Sequence, residues 1–117
     1  YRPDIEALRE RSRALIQRSF YPAGFPRQLA AIIADGDRRE RLRSVKAPTL
    51  VIHGEADPLV PLPGGEDTAR HISGATLKTV PGMGHDLPTE LVDEIADAIA
   101  RHTKAAQEAE SAQAAAA

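Results

Sequence analysis

Apolar side chains recur at helical spacing among charged ones throughout the first part of the chain. Residues 4–20 predict a helix that begins at the capping residue Asp4, with its apolar side chains near one face: Ile5, Leu8, Leu15 and Ile16. Residues 26–34 predict a second helix. Residues 38–45 predict a third, which ends before Pro48 because the residue preceding a proline is disfavoured in helical conformation. We expect a helical cap or connector region over residues 1–45.

The pattern changes beyond residue 45. Residues 49–53 form a continuous apolar and β-branched run, which is typical of a parallel strand buried on both faces. Residues 64–72 predict a helix and residues 76–80 a second strand. Residues 88–102 predict the best amphipathic helix of the chain, with apolar positions three and four apart: Leu91, Val92, Ile95, Ala96 and Ile99. The fold class is therefore α/β, with a βαβα unit over residues 46–102.

The last residues, 103–117, have low complexity and end in a run of alanines. Alanine and glutamate favour helix locally, but no apolar stripe is present that could dock on a core. We expect a tail that extends the last helix and frays.

Two parallel strands are too few to stand alone, because sheets usually contain about four to six strands. The strand at residues 49–53 therefore predicts a neighbouring strand that this sequence does not supply. An N-terminal portion of the same protein or a second copy of the chain would complete the sheet.

Composition narrows the functional classes. A length of 117 residues is typical of one domain, and the net charge of −2 gives no electrostatic basis for binding nucleic acid. The chain has no cysteine, and no apolar run approaches the ~18 residues of a membrane span. The first residues do not resemble a signal peptide, and the missing initiator methionine suggests processing or a fragment. We expect a cytoplasmic protein without a membrane or nucleic-acid partner.

Two residues with catalytic chemistry follow the predicted strands. Asp57 comes shortly after the first strand and His85 shortly after the second. Because the carboxyl ends of parallel strands meet at one edge of a sheet, we expect the two side chains to meet. An aspartate that accepts a hydrogen bond from a histidine holds it as a general base in a Ser-His-Asp relay.

These residues stand in two blocks that resemble those of a known superfamily. The blocks are APTLVIHGEADPLVP at residues 47–61 and PGMGHDLP at residues 81–88. They resemble the acid and histidine blocks of the α/β-hydrolase superfamily, especially esterases similar to aclacinomycin methylesterase. The residues RQLAAIIADGDR at 27–38 resemble the helix that such esterases carry before the acid-bearing strand. The resemblance implies that Asp57 is the triad acid and His85 the triad histidine, that the substrate is a small-molecule ester, and that no cofactor or metal is needed.

The superfamily's nucleophile motif, G-x-S-x-G, is absent. The chain has five serines, Ser12, Ser19, Ser44, Ser73 and Ser111. None of them lies in a glycine-containing turn between a strand and a helix. The resemblance therefore implies the C-terminal portion of a serine hydrolase. We expect the isolated chain to be inactive without the portion that bears the nucleophile.

Further residues allow more than one interpretation. Met83 could contact the substrate or fill the core, and Tyr21 and Phe25 could cover the substrate or simply pack. Asp86 could assist His85 or cap the last helix. His53 is interpreted as a packed residue at a strand end and not as a metal ligand.

Three functions stay open at this point. The first is a carboxylic ester hydrolase, completed by a nucleophile from outside the chain. The second is a non-catalytic module derived from a hydrolase, which binds a partner or dimerises through an exposed strand edge. The third keeps the fold and changes the chemistry to that of a cofactor-free haloperoxidase, lyase or dehalogenase.

Overall fold

A computed structural model describes Tyr1 and residues 4–116 of the chain. Arg2 and Pro3, at the start of the predicted helical region, and Ala117, at the end of the predicted tail, lie outside the described residues. The chain divides into two compact units, Tyr1–Arg38 and Arg39–Ala117.

The N-terminal unit contains the helices α1 (Ile5–Arg18) and α2 (Gly24–Asp35). The predicted N-cap of α1 is confirmed, since the Asp4 carboxylate accepts hydrogen bonds from the backbone N–H groups of Glu6 at 3.0 Å and Ala7 at 3.1 Å. These bonds satisfy two of the N–H groups that have no partner within the helix. Both helices therefore form where the sequence predicts them.

Neither helix of this unit contains a buried residue. The large apolar side chains of the unit are exposed, among them Ile5, Leu8, Leu15, Ile16, Leu29, Ile32 and Ile33. The guanidinium of Arg27 lies 5.7 Å from the centre of the exposed Tyr21 ring, within the range of a cation–π contact. The amphipathic pattern of this unit thus forms helices without forming a core.

The C-terminal unit has the predicted βαβα order. The short helix α3 (Arg39–Leu42) is followed by β1 (Leu50–Gly54), α4 (Leu62–His71), β2 (Thr76–Val80) and α5 (Val92–Ala115). The two strands pair in parallel, with Leu50 opposite Thr76 and Gly54 opposite Val80. This register brings the carboxyl ends of both strands to the same edge of the sheet.

The two units divide at Arg38, whereas the sequence-based division falls after residue 45. The helix α3 accounts for the difference, because it contacts α4 and so belongs with the C-terminal unit. Its four residues bury no side chain, so nothing in its own sequence indicates that contact.

The core lies on one face of the sheet. Val80, Met83, Leu91 and Ile95 form a buried cluster, and Ile52 of β1 packs against it. Strand β1 itself is only half-buried along Leu50 to His53, so the prediction of a strand buried on both faces is wrong for the chain as described. The reason is that β1 has a neighbouring strand on one side only, among the residues that the structure describes.

The last helix begins later and ends later than the sequence predicts. A 3₁₀ turn at Thr89–Leu91 follows Pro88, and α5 begins at Val92. Asp86 therefore does not cap the helix, and that interpretation is wrong. Beyond residue 102 the chain continues as helix to Ala115, so the low-complexity tail extends α5.

Candidate active site

The acid loop, residues 55–61, follows β1 and carries Asp57 on a tight turn. One carboxylate oxygen, Oδ1, accepts hydrogen bonds from the backbone N–H groups of Leu59 at 2.8 Å and Val60 at 2.9 Å. The N–H of Asp57 itself donates to the carbonyl of Gly54 at 3.3 Å. Because only 5% of the side chain is exposed, the carboxylate is held by the loop and withdrawn from water.

The histidine loop, residues 81–88, follows β2 and begins with a second tight turn. The N–H of Met83 donates to the carbonyl of Val80 at 3.3 Å, and Gly82 takes the positive φ of 73° that this turn requires. Met83 is buried in the core cluster and anchors the loop. His85 extends from the loop with 52% of its side chain exposed.

The two side chains meet as predicted. His85 Nδ1 lies 2.9 Å from Asp57 Oδ2, the oxygen that the backbone of the acid loop leaves open. A carboxylate can only accept, so Nδ1 carries the proton of this bond and, in the neutral ring, Nε2 keeps its lone pair. The pair can therefore present an oriented base to a group that approaches from outside.

Backbone hydrogen bonds hold the two loops together. The N–H of Glu55 donates to the carbonyl of Val80 at 3.1 Å, and the N–H of Ala56 donates to the carbonyl of Met83 at 3.0 Å. The hydroxyl of Thr79 also donates to the Glu55 carboxylate at 2.8 Å. The distance between Asp57 and His85 is thus set by the backbone and does not depend on the ion pair alone.

This close approach depends on Gly54. A Cβ atom at that position would lie 2.2 Å from the carbonyl oxygen of Met83 and 2.5 Å from that of Gly84, both parts of the backbone. Only glycine allows the end of β1 and the histidine loop to approach so closely. The glycine of the HGEAD sequence is therefore part of the geometry that joins acid and histidine.

Opposing influences act on the carboxyl group of Asp57. Loss of hydration, the largest single influence, raises its pKa, whereas hydrogen bonds from the Val60 N–H, His85 and the Leu59 N–H lower it, as does the charge of His85. The lowering influences prevail, and the pKa of Asp57 lies below its ordinary value. The carboxylate is therefore ionised at neutral pH, as an orienting acid must be.

The remaining predicted site residues lie elsewhere. Met83 is 9% exposed and packs with Val80, Leu91 and Ile95, which favours the core role that the sequence left open. In the N-terminal unit, Tyr21 lies before α2 and Phe25 lies in its first turn, and both are exposed. The contact of these three residues with a substrate stays a prediction.

Sequence reasoning missed the contribution of His53. The ring is half-buried at the end of β1, as expected, but its Nε2 also lies 2.8 Å from the carbonyl oxygen of Val60 in the acid loop. The signal that could have found it is the position of a polar ring on a strand just before the acid. His71 of α4 is largely covered, with Nδ1 2.7 Å from the carbonyl oxygen of Asp67.

Within Tyr1 and residues 4–116, no group of three or more histidine, cysteine, aspartate or glutamate side chains is placed to hold a metal ion. Over the same residues, none of the helices combines the length and the apolar character that crossing a bilayer would require.

Comparison with known proteins gives one family match and several relatives. Residues 13–92 match the family described as "Serine aminopeptidase, S33". Rhodomycin D methylesterase DnrP of Streptomyces peucetius is 38% identical over 69 residues, which are 59% of this chain and 23% of that protein. A non-heme chloroperoxidase of Burkholderia pyrrocinia is 38% identical over 61 residues, 51% of this chain and 22% of the relative.

A mammalian protein matches as well. The serine hydrolase BPHL of Mus musculus is 39% identical over 56 residues, which cover 48% of this chain and 19% of that protein. The chain thus spans less than a quarter of the length of these curated relatives.

Proposed function

The chain belongs to the family of the serine aminopeptidases S33, and from this premise we propose that it supplies the acid and the histidine of a serine hydrolase acting on carboxylic esters. Family membership confirms the predicted α/β-hydrolase fold class, of which the parallel βαβα unit is a part. Rhodomycin D methylesterases are among its relatives, in agreement with the predicted likeness to methylesterases.

The hydrogen bond between His85 Nδ1 and Asp57 Oδ2, at 2.9 Å, is the observation that carries this proposal. It joins an acid that its loop withdraws from water to a histidine that is half exposed. This asymmetry suits a relay in which the acid stays ionised and in place while the histidine exchanges protons with a substrate.

The reaction follows from these roles. A serine hydroxyl supplied from outside the described chain attacks the ester carbonyl carbon, and Nε2 of His85 takes the hydroxyl proton. As the tetrahedral intermediate collapses, His85 gives that proton to the departing alcohol oxygen and an acyl-serine is left. Water attacks the acyl-serine in the same way, and the carboxylic acid leaves. Asp57 stabilises the imidazolium at each stage.

The free edge of β1 is where we place the portion that bears the nucleophile. Along a parallel ladder, alternate residues direct their N–H and C=O groups to the neighbouring strand. Thr49 and Glu55 bond to β2, so the backbone groups of Leu50 and Ile52 are directed to the opposite edge. A shallow groove there is lined by Pro48, Leu50, Ile52, Ile99 and His102, among others. An added parallel strand would satisfy the backbone and cover these apolar side chains.

An exchange experiment tests the proposal. The 69 residues of this chain that align with rhodomycin D methylesterase replace their counterparts in that enzyme, and hydrolysis of p-nitrophenyl acetate is measured. We expect activity in the chimera and a loss of about 10⁴-fold in kcat for Asp57→Asn, with a comparable or larger loss for His85→Ala. Glu90→Gln, which changes an exposed carboxyl group in the 3₁₀ turn before α5, serves as the matched control and should keep the activity. Undiminished hydrolysis by the His85→Ala chimera would refute the assignment.

The exposed edge of β1 also supports a second candidate function, a non-catalytic module that dimerises or binds a partner strand. Light scattering after size-exclusion chromatography separates the two. A monodisperse homodimer that Leu50→Lys disrupts would favour the module, because a charge in the groove opposes pairing. A monomer that associates only with the nucleophile-bearing portion would favour the hydrolase.

A further inference from the structure

His53 and the acid loop are joined through a single residue, Val60. The Val60 carbonyl lies 2.8 Å from His53 Nε2, and because a carbonyl oxygen can only accept, Nε2 carries the proton. The N–H of the same residue donates to Asp57 Oδ1 at 2.9 Å. The Val60 carbonyl thus accepts a hydrogen bond from His53, and the Val60 N–H donates one to the Asp57 carboxylate.

We propose that His53 is a positioning residue for the Asp57–His85 pair and acts through Val60. The proposal rests on the function given above, since it assigns His53 a part in aligning that relay. His53 does not touch the reacting atoms. It fixes the direction of the Val60 N–H and thereby the plane of the carboxylate that His85 contacts.

Two adjacent glycines in α4 make room for this arrangement. A Cβ at Gly65 would lie 2.6 Å from Nδ1 and 2.7 Å from Cγ of the His53 ring, which is closer than such atoms approach. A Cβ at Gly64 would lie 3.3 Å from Cγ1 of Val60, a tight but adjustable distance. Glycine is unfavourable inside a helix, so this pair needs a reason. The His53 ring against the helix backbone supplies one for Gly65.

The acid loop has few backbone donors for the Asp57 carboxylate, so the Val60 N–H matters. Pro58 and Pro61 have no backbone N–H, so Leu59 and Val60 are the loop residues whose N–H groups reach the carboxylate. If the Val60 carbonyl is released, the backbone dihedral angles of Val60 are less constrained, its N–H can move away from Oδ1, and Asp57 then keeps only one backbone donor. A carboxylate rotated in this way no longer meets Nδ1 of His85 in line.

The first test uses the wild-type chain. Nitrogen-15 NMR of the labelled histidines distinguishes the two neutral tautomers of His53. We expect the proton on Nε2, since only that tautomer donates to the Val60 carbonyl. A neutral His53 with its proton on Nδ1 would overturn the proposal without any substitution.

The second test measures the carboxyl carbon of Asp57 during an acid titration in two variants. His53→Phe keeps a flat ring without a donor, and His53→Gln places an amide N–H near the position of Nε2. We expect the titration midpoint of Asp57 to move upward in His53→Phe, because a hydrogen bond that favours the carboxylate is lost. It should return toward the wild-type value in His53→Gln. An unchanged midpoint in a folded His53→Phe chain, or no rescue by glutamine, would overturn the proposal.

A substitution at Gly65 tests the same idea without changing His53, and it applies even if His53→Phe does not fold. Gly65→Ala should displace the His53 ring and raise the Asp57 midpoint. Arg70→Ala, at an exposed position of the same helix, is the matched control and should leave the midpoint near the wild-type value. Equal midpoints in the two variants would contradict the proposal. A merely structural role for His53 would lower stability in these variants without moving the titration of Asp57.

These measurements need no nucleophile, so their failure is distinct from failure of the proposed hydrolase function. In an active chimera, His53→Phe should also lower kcat by about 10²-fold with KM little changed, as expected for a misplaced catalytic group. If the chimera is inactive while the Asp57 midpoint responds to His53, the hydrolase assignment fails and the positioning of Asp57 stands. If the chimera is active and the midpoint does not respond, the positioning role fails alone.

Discussion

The acid loop and the histidine loop hold their functional side chains in opposite ways. In the acid loop, two backbone N–H groups bind Asp57, a third hydrogen bond from His53 fixes the loop, and 5% of the carboxylate side chain is exposed. In the histidine loop, the buried Met83 anchors the backbone, whereas His85 is 52% exposed. Its one hydrogen bond among the described residues is to Asp57.

The difference corresponds to the two roles that we propose for these side chains. An orienting acid has to stay ionised and in one place, which its own loop provides before any substrate arrives. A base that takes a proton from one group and gives it to another needs an accessible ring with some freedom to turn. Among the described residues, Asp57 accepts hydrogen bonds from Leu59, Val60 and His85, whereas the His85 side chain bonds to Asp57 alone and stays accessible.

A substitution at Gly54 should disrupt the contact between the two loops most severely. We expect Gly54→Ala to lower the free energy of unfolding by about 3 kcal/mol, because the new methyl group would meet the Met83 backbone at 2.2 Å and force the loops apart. Urea denaturation followed by circular dichroism measures the change.

Gly84→Ala, in the histidine loop, is the matched control for Gly54→Ala. A Cβ there would come no closer than 4.0 Å to the carbonyl oxygen of Ala56, so Gly84→Ala should change stability by less than about 0.5 kcal/mol. If the two alanine variants are equally stable, the close approach at Gly54 is not what sets the distance between the loops.

Met83, the buried residue that anchors the histidine loop, gives the next test of the comparison between the two loops. Met83→Ala should cost about 2 kcal/mol, at the lower end for a buried methionine because the core around it is small. Leu87→Ala, at an exposed position of the same loop, should cost less than about 0.5 kcal/mol. Thermal unfolding of the two variants measures this. Similar losses would show that burial of Met83 does not anchor the loop.

The sequence predicts the C-terminal unit well because its signals are local. The strand at residues 76–80 is found with the predicted bounds, and parallel pairing brings the loops of Asp57 and His85 to one edge of the sheet, where the two side chains meet. Turn-forming residues after both strands indicate where each strand ends. The catalytic roles of the pair remain a proposal, since they depend on a nucleophile that this sequence does not contain.

The sequence could not predict features that depend on distances between separate elements. Nothing local to Gly65 shows that a histidine of β1 lies against it, and the contact of α3 with α4 is equally hidden. The amphipathic helices of the N-terminal unit show the converse case. Their pattern predicts a buried face, yet Leu15 and Ile32 are exposed at 50% and 60%, because periodicity specifies a face and not its partner.

Acid should weaken the acid loop in a way that Asp57 controls. The pKa of Asp57 in the folded chain is below its ordinary value of about 4, so the stabilisation from its carboxylate is fully present above that value. It is lost as the pH falls through the lowered pKa, where the folded chain must also take up the proton. Urea denaturation at a series of pH values below 5 should show a shallower loss for Asp57→Asn than for the wild type. Asp86→Asn should follow the wild type, and a slope for Asp57→Asn equal to that of the wild type would contradict this account.

The smallest effect on stability should come from the histidine itself. We expect His85→Gln to change the free energy of unfolding by less than about 0.5 kcal/mol at neutral pH, because the ring is half exposed and packs into no core. Hydrogen exchange adds a local measurement, since the Leu59 and Val60 amides donate to Asp57 and should stay protected in His85→Gln. In Asp57→Ala both amides should exchange faster. If His85→Gln also removes their protection, the acid loop depends on the histidine for its shape. The carboxylate would then be ordered by its partner, and the contrast between a pre-formed acid and an open base would not hold.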